Sequence, residues 1–134
     1  AGSDLDYTNL SHCDLSKAEL IRADLSNANL AGSRLGRVNL SYADLFKANL
    51  ANAYLANADL SHADLCQADL QNADLTRADL SGAKLIGAKV SDEQLARARS
   101  LAGAILPDGS PYNVPQTVPA TPASPNAQPV EQGV

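Results

Sequence analysis

The sequence has no methionine, no tryptophan, one phenylalanine and two cysteines in 134 residues, and all seven prolines lie beyond residue 106. The late prolines draw a sharp boundary between one short domain and a tail. No apolar run approaches the roughly twenty residues that a membrane-crossing helix needs, which excludes such a helix. Ten basic residues stand against fifteen acidic ones, a net charge of −5. That balance argues against nucleic acid and membrane surfaces as partners, since both require a basic face. No secretory signal peptide is visible, and Ala1-Gly2-Ser3 suits a mature start, a trimmed end or a cloning remnant equally well.

Catalytic patterns are missing too. There is no Ser/His/Asp constellation, no glycine loop that would cradle phosphate and no zinc spacing. No catalytic, cofactor-binding or metal-binding residue is assigned, and the chain is expected not to be an enzyme.

What is present is a period. From Leu5 to Leu85 every fifth residue is leucine, seventeen in all, and most have alanine two positions earlier. A clean stretch is Ala58-Asp59-Leu60-Ser61-His62, Ala63-Asp64-Leu65-Cys66-Gln67, Ala68-Asp69-Leu70-Gln71-Asn72. On an α-helix five residues advance about 500°, so the leucines would make no stripe. On a flat strand the side-chain period is two, and an odd repeat would send alternate leucines to opposite faces. A chain that turns a corner once per pentad keeps every leucine and alanine inside a coil. The slot before leucine is mostly Asp or Asn, and the two slots after it hold Ser, Asn, Gly, Lys, Arg and Gln, residues that suit turns and wet surfaces.

This pattern resembles the pentapeptide-repeat family, whose motif is roughly A-(D/N)-L-x-x, over about residues 3 to 90. The resemblance implies an all-β solenoid, a right-handed quadrilateral β-helix with four pentads per coil. The leucine-rich, loop-free run and the Leu106-Pro107-Asp108-Gly109 ending are similar to cyanobacterial and chloroplast-lumen members. No pentad is stable alone. A buried leucine contributes roughly 1.5–3 kcal/mol, whereas ordering five residues of backbone costs about 5–10 kcal/mol. Coils must therefore stack and share a core.

Three segments are expected: a β-helix over residues 3–90, a C-terminal capping helix and turn over 91–109, and a Pro-rich disordered tail over 110–134. Ser91-Asp92-Glu93-Gln94 has the form of a capping box. The helix is expected to run through Leu95 and Arg99 to about Leu101, laying Leu95, Ala98 and Leu101 over the last coil. The tail has too little apolar content to fold alone. The first coil begins at Asp4-Leu5 without a visible cap; either an N-terminal piece is absent or this open face pairs with something, as in a homodimer through the N-terminal coil.

With four pentads per coil, residues twenty apart stack about 4.8 Å apart. One column is then Asp4, Asp24, Asp44, Asp64, Lys84, whose acids are expected to bond locally rather than hold a metal. A second is Asp14, Arg34, Tyr54, Asp74, where a salt bridge and a cation–π stack of Arg34 on Tyr54 are expected. A third is Asp6, Ser26, Phe46, Cys66, Ile86, in which Phe46, Cys66 and Ile86 form an exposed apolar stripe. Cys13 points inward and Cys66 outward, too far apart for a disulfide. Free thiols lean towards a reducing compartment, the cytoplasm, over the periplasm or thylakoid lumen. His12 and His62 fall in different columns.

The expected function is a non-enzymatic scaffold that binds a protein partner through its flat faces, with Phe46, Cys66, Ile86, Arg34, Tyr54, Asp24, Asp44 and Asp64 as the candidate interaction surface. The alternative is a DNA mimic that binds a type II topoisomerase. Lys17, Arg22, Arg37, Lys47 and Arg77 interrupt the charge pattern that mimicry would need.

Overall fold

The computed structural model describes residues 2–113. Its unit is the pentad, and one example shows how each slot earns its residue type. In Ala43-Asp44-Leu45-Phe46-Lys47 all five backbone N–H groups are satisfied. Ala43 N–H closes a turn onto Leu40 C=O at 3.1 Å, and Asp44 N–H donates back one coil to Ala23 C=O at 2.9 Å. Leu45 and Lys47 N–H donate forward one coil, to Asp64 C=O at 2.7 Å and Cys66 C=O at 3.0 Å. Phe46 N–H has no backbone partner; the Asp44 carboxylate accepts from it at 3.0 Å. The Asp/Asn slot is thus an acceptor built into the corner, and an unpaired N–H there would be costly. The same bond recurs from Ala31 to Asn29 and from Thr76 to Asp74.

The second residue after leucine takes left-handed backbone. Fourteen non-glycine residues do so, among them Lys17 at φ 64°, Arg37 at 57° and Gln67 at 60°. That conformation is ordinarily left to Gly and Asn. At Gly32 and Gly82, φ is also positive, and a side chain would strike the imidazole of His12 or His62.

Pentads pair in parallel with a stride of twenty, from Asp4↔Asp24 through Asp69↔Lys89, so four make a coil. The leucines from Leu25 to Leu85 are no more than 1% exposed, and the alanine slots between them are no more than 5% exposed. Ser33 occupies an alanine slot, fully buried, and its hydroxyl donates to Leu30 C=O at 2.6 Å. Leu5, Leu10, Leu15 and Leu20 are only partly buried against this core. Cys13, in an alanine slot of the first coil, is likewise half-buried, and both cysteines are free thiols.

One short helix, α1, spans Asp92–Ala96. Its capping box is formed: Ser91 Oγ accepts from Gln94 N–H at 3.1 Å, and Gln94 Oε1 accepts from Ser91 N–H at 2.9 Å. Leu95 is buried in the core, with Ala98, Leu101 and Leu106 packed against it. The helix does not reach Leu101 as the sequence suggested. After Ala96 the chain re-enters the ladder, because sheet bonds to the preceding coil are available there. Arg77 N–H donates to Arg97 C=O and Arg99 N–H to Ala78 C=O, both at 2.8 Å. The bridges Asp79↔Ser100 and Lys84↔Ile105 now have a stride of 21, so the helix adds one residue to the coil. Leu101 and Leu106 are the leucines of two further pentads.

Residues 110–113, expected to open the disordered tail, instead lie against the coil. Pro111 pairs antiparallel with Ile105. Leu106 N–H donates to Ser110 C=O at 2.7 Å, and Tyr112 N–H to Ala104 C=O at 2.8 Å. The rest of the expected tail, residues 114–134, lies outside the described residues.

Candidate interaction surface

Because the coil interior is filled, chemistry is confined to the four sides and corners. The acidic column stands as expected, through the bridges Asp4↔Asp24, Asp24↔Asp44, Asp44↔Asp64 and Asp64↔Lys84. Its carboxylates serve their own corners: Ser26, Phe46 and Cys66 N–H each donate to the preceding Asp at 3.0 Å. The Ser26 hydroxyl also donates to Asp24 at 2.6 Å, and these two bonds hold the Asp24 carboxyl below the usual carboxylate range. At the start of the column Asp4, Asp6 and Asp24 bring carboxylate oxygens within 4.8 Å of one another. There the neighbouring Asp4, by hydrogen bonding to the protonated form and by its charge, raises the Asp6 pKa.

Arg34 and Tyr54 are adjacent across a bridge. Neither expected contact is made. Among the described residues the one ion pair is Arg99–Asp79 at 3.2 Å. Tyr54 instead lays its ring over the buried Gly36, where a side chain would meet the ring at 2.9 Å. The ring is drawn to the shelf that a missing side chain leaves.

Phe46, Cys66 and Ile86 do stack, as Lys47 N–H on Cys66 C=O and Gln67 N–H on Ile86 C=O show. Phe46 and Cys66 are half-buried rather than fully outward, and Ile86 is 47% exposed. Lys47 places its ammonium 5.4 Å from the Phe46 ring centre. Burial and then the neighbouring Asp64 push the Cys66 thiol pKa up, away from the reactive thiolate.

Sequence reasoning missed a stacked series at the preceding corner of the coil, one pentad away. Arg22 lies 5.0 Å from the Tyr42 ring centre. Tyr42 and His62 stack at 4.7 Å with planes 14° apart. The signal was available, since these residues share one slot at intervals of twenty. A groove of about 970 Å³ lies beside α1, lined in part by Asn72, Asp74, Lys89, Glu93 and Arg97. Gln94 spans its floor, donating to Leu70 C=O at 2.7 Å and Ala73 C=O at 2.9 Å.

Four sides, a stride of twenty and a closed leucine core match one family. Residues 1–32, 33–72, 43–82 and 53–92 fit the family described as Pentapeptide repeats (8 copies). This chain is a pentapeptide-repeat protein. Among solved structures it is similar to HetL, a pentapeptide repeat protein involved in heterocyst differentiation regulation from the cyanobacterium Nostoc sp. strain PCC 7120. The identity is 38% and the TM-score 0.53, over 81% of this chain and 53% of HetL. It is also similar to Rfr23 from the cyanobacterium Cyanothece 51142, at 32% identity and TM-score 0.49, over 68% of this chain and 79% of that one. A pentapeptide repeat protein of the Arabidopsis thaliana thylakoid lumen shares 30% identity, with TM-score 0.42, over 79% of this chain and 63% of its own. The chain thus spans about half the length of HetL. Among curated proteins none matches.

Proposed function

We propose that this chain is a non-enzymatic scaffold, a right-handed quadrilateral β-helix closed at its C-terminal end by α1 and the two pentads that follow it, whose flat sides bind another protein. The observation that carries this reading is the closed leucine interior beneath columns of side chains at fixed spacing. A surface of this kind is pre-organised, so a partner docks without ordering it first. Solenoids commonly bind through such faces, and membership of the pentapeptide-repeat family supports a structural or interaction role over catalysis. The interaction surface is the Phe46–Cys66–Ile86 stripe together with Arg34, Tyr54, Asp24, Asp44 and Asp64. The proposal includes end-on pairing of two copies through the first coil, which would cover the half-buried Leu5, Leu10, Leu15 and Leu20.

The DNA-mimic alternative is less well supported. The acidic column offers one carboxylate per coil and ends at Lys84, whereas duplex DNA presents a charge every ~1.7 Å. Affinity capture from the organism that encodes the chain tests the proposal. A partner retained by the native protein should be lost on Phe46→Ser or Ile86→Ser and kept on Gln71→Ala, an exposed position whose slot already holds alanine at Ala31 and Ala51. A partner indifferent to every column would refute it. Salt-sensitive inhibition of topoisomerase supercoiling, weakened by Asp44→Lys, would install the alternative.

A further inference from the structure

Charge is distributed unevenly around the coil, in a way that composition hides. Five of the ten basic residues lie along one side: Lys17, Arg34, Arg37, Arg77 and Arg97, all exposed. Lys17, Arg37 and Arg77 occupy the same corner slot, and their N–H groups donate to the next coil, at Gly36, Ala56 and Arg97 C=O. Only Asn57 breaks the series. Two carboxylates, Asp14 and Asp74, stand on this side, and no ridge cation lies in the one ion pair of the described residues. Two pentads away, on the opposite side of a four-pentad coil, stands the column Asp4, Asp24, Asp44, Asp64. In Asp24, Asp44 and Asp64 one carboxylate oxygen is held by the corner N–H, which fixes the group on the side of the coil.

We infer that the basic ridge of Lys17, Arg37, Arg77 and Arg97 is a docking surface for a second copy of this chain, received through its Asp4–Asp24–Asp44–Asp64 face. The argument is the shared pitch. Both ladders repeat once per coil, about 4.8 Å, so a shift of one coil sets Arg37, Arg77 and Arg97 level with Asp4, Asp44 and Asp64 together, three pairs in one register with Asn57 facing Asp24. A partner without this repeat would pair once and then fall out of step. Single exposed ion pairs are weak, and the net charge of −5 opposes contact; only a ladder of several pairs gives association. The two surfaces differ, so the contact is heterologous and does not close. Side-by-side ribbons of growing length are expected rather than a dimer. The inference rests on reading the coil sides as binding faces, but its test uses purified protein alone, so its failure would leave binding of a foreign partner untouched.

Sedimentation velocity gives the test. At ~0.01 M salt, where the Debye length is about 30 Å, the weight-average mass should rise steadily with concentration; at 1 M, about 3 Å, it should return to that of one chain. A ridge variant, Arg37→Glu with Arg77→Glu, and a ladder variant, Asp24→Lys with Asp44→Lys, should each remain single. Mixed in equal amounts they should associate, since each then offers the face the other needs. Lys84 already occupies the ladder slot, so the backbone accepts lysine there. Asp24→Asn with Asp44→Asn keeps the corner acceptor and should still abolish association, guarding against a folding defect. A native chain that stays single at low salt would overturn the inference. So would a mixture that fails to associate while both variants melt like the native protein, or a dimer indifferent to all of these changes.

Discussion

A residue in this coil is judged by its slot before its chemistry. Gln67 is exposed, yet its φ of 60° makes its backbone the constraint. A left-handed residue with a side chain carries roughly 1–2 kcal/mol of strain, and glycine returns part of that gain through unfolded-state entropy of about 0.4–1 kcal/mol. Gln67→Gly should therefore stabilise by up to about 1 kcal/mol, and Gln67→Val, β-branched at positive φ, should destabilise by about 1–2 kcal/mol. Denaturant unfolding measures both. The aspartates before leucine behave alike. Bonds from Ser26 to Asp24 and from Thr76 to Asp74 lower both carboxyl pKa values. Their folded values lie below the unfolded ~3.9, so the stability they contribute is complete above that pH and is lost as pH falls through the folded values. Melting temperature should fall below about pH 4, and Asp24→Asn with Asp74→Asn should flatten that fall while keeping the corner acceptors. Asp6 has the opposite sign. Its pKa is raised, so its contribution is present below the unfolded value and lost as pH rises through the folded one. Asp6→Asn should be mildly stabilising at neutral pH.

At the scale of elements, α1 interrupts the ladder and Gln94 repairs the break. Gln94 closes the capping box and donates to Leu70 and Ala73 C=O, so one side chain serves the helix and the open edge together. Gln94→Ala should cost about 2–3 kcal/mol, a lost cap plus the stranded Ala73 carbonyl, since Leu70 C=O keeps its bond from Ala73 N–H. Gln94→Glu should recover the cap but not the edge, and calorimetry separates the two losses. The helix start was legible at Ser91-Asp92-Glu93-Gln94, whereas its end was not. Leu95, Ala98 and Leu101 also suit a helix face, and local periodicity could not show that ladder bonds to residues 77–80 would compete. The telling signal was that Leu101 and Leu106 are themselves five apart. The Pro111 return was illegible for another reason: prolines mark the end of a repeat but do not show where the chain folds back.

At the scale of the whole molecule, the period of five was legible because every leucine answers the same burial demand. The four-pentad stride came from likeness to a family and is visible in the bridges. The columns were legible once that stride was assumed, including the Asp column and the Phe46–Cys66–Ile86 stack. Contacts within the columns were not. Tyr54 turns onto Gly36 instead of Arg34, and Arg22 finds Tyr42, because rotamers respond to neighbouring slots that a one-column reading ignores. Charge segregation into a basic ridge and an opposite acidic ladder is likewise a property of the wound chain, absent from any window of sequence. The scaffold reading depends on that winding, in which residues twenty apart are neighbours and residues ten apart face away from each other. Dipolar electron paramagnetic resonance tests it directly, with Cys13→Ala and Cys66→Ser as background and paired spin labels at the exposed Lys47 with Gln67, or at Lys47 with Asn57. The account predicts strong coupling for the first pair, whose backbones lie about one interstrand spacing (~4.8 Å) apart, and a longer distance for the second despite its shorter separation in sequence. A second pair as close as the first, or closer, would contradict it.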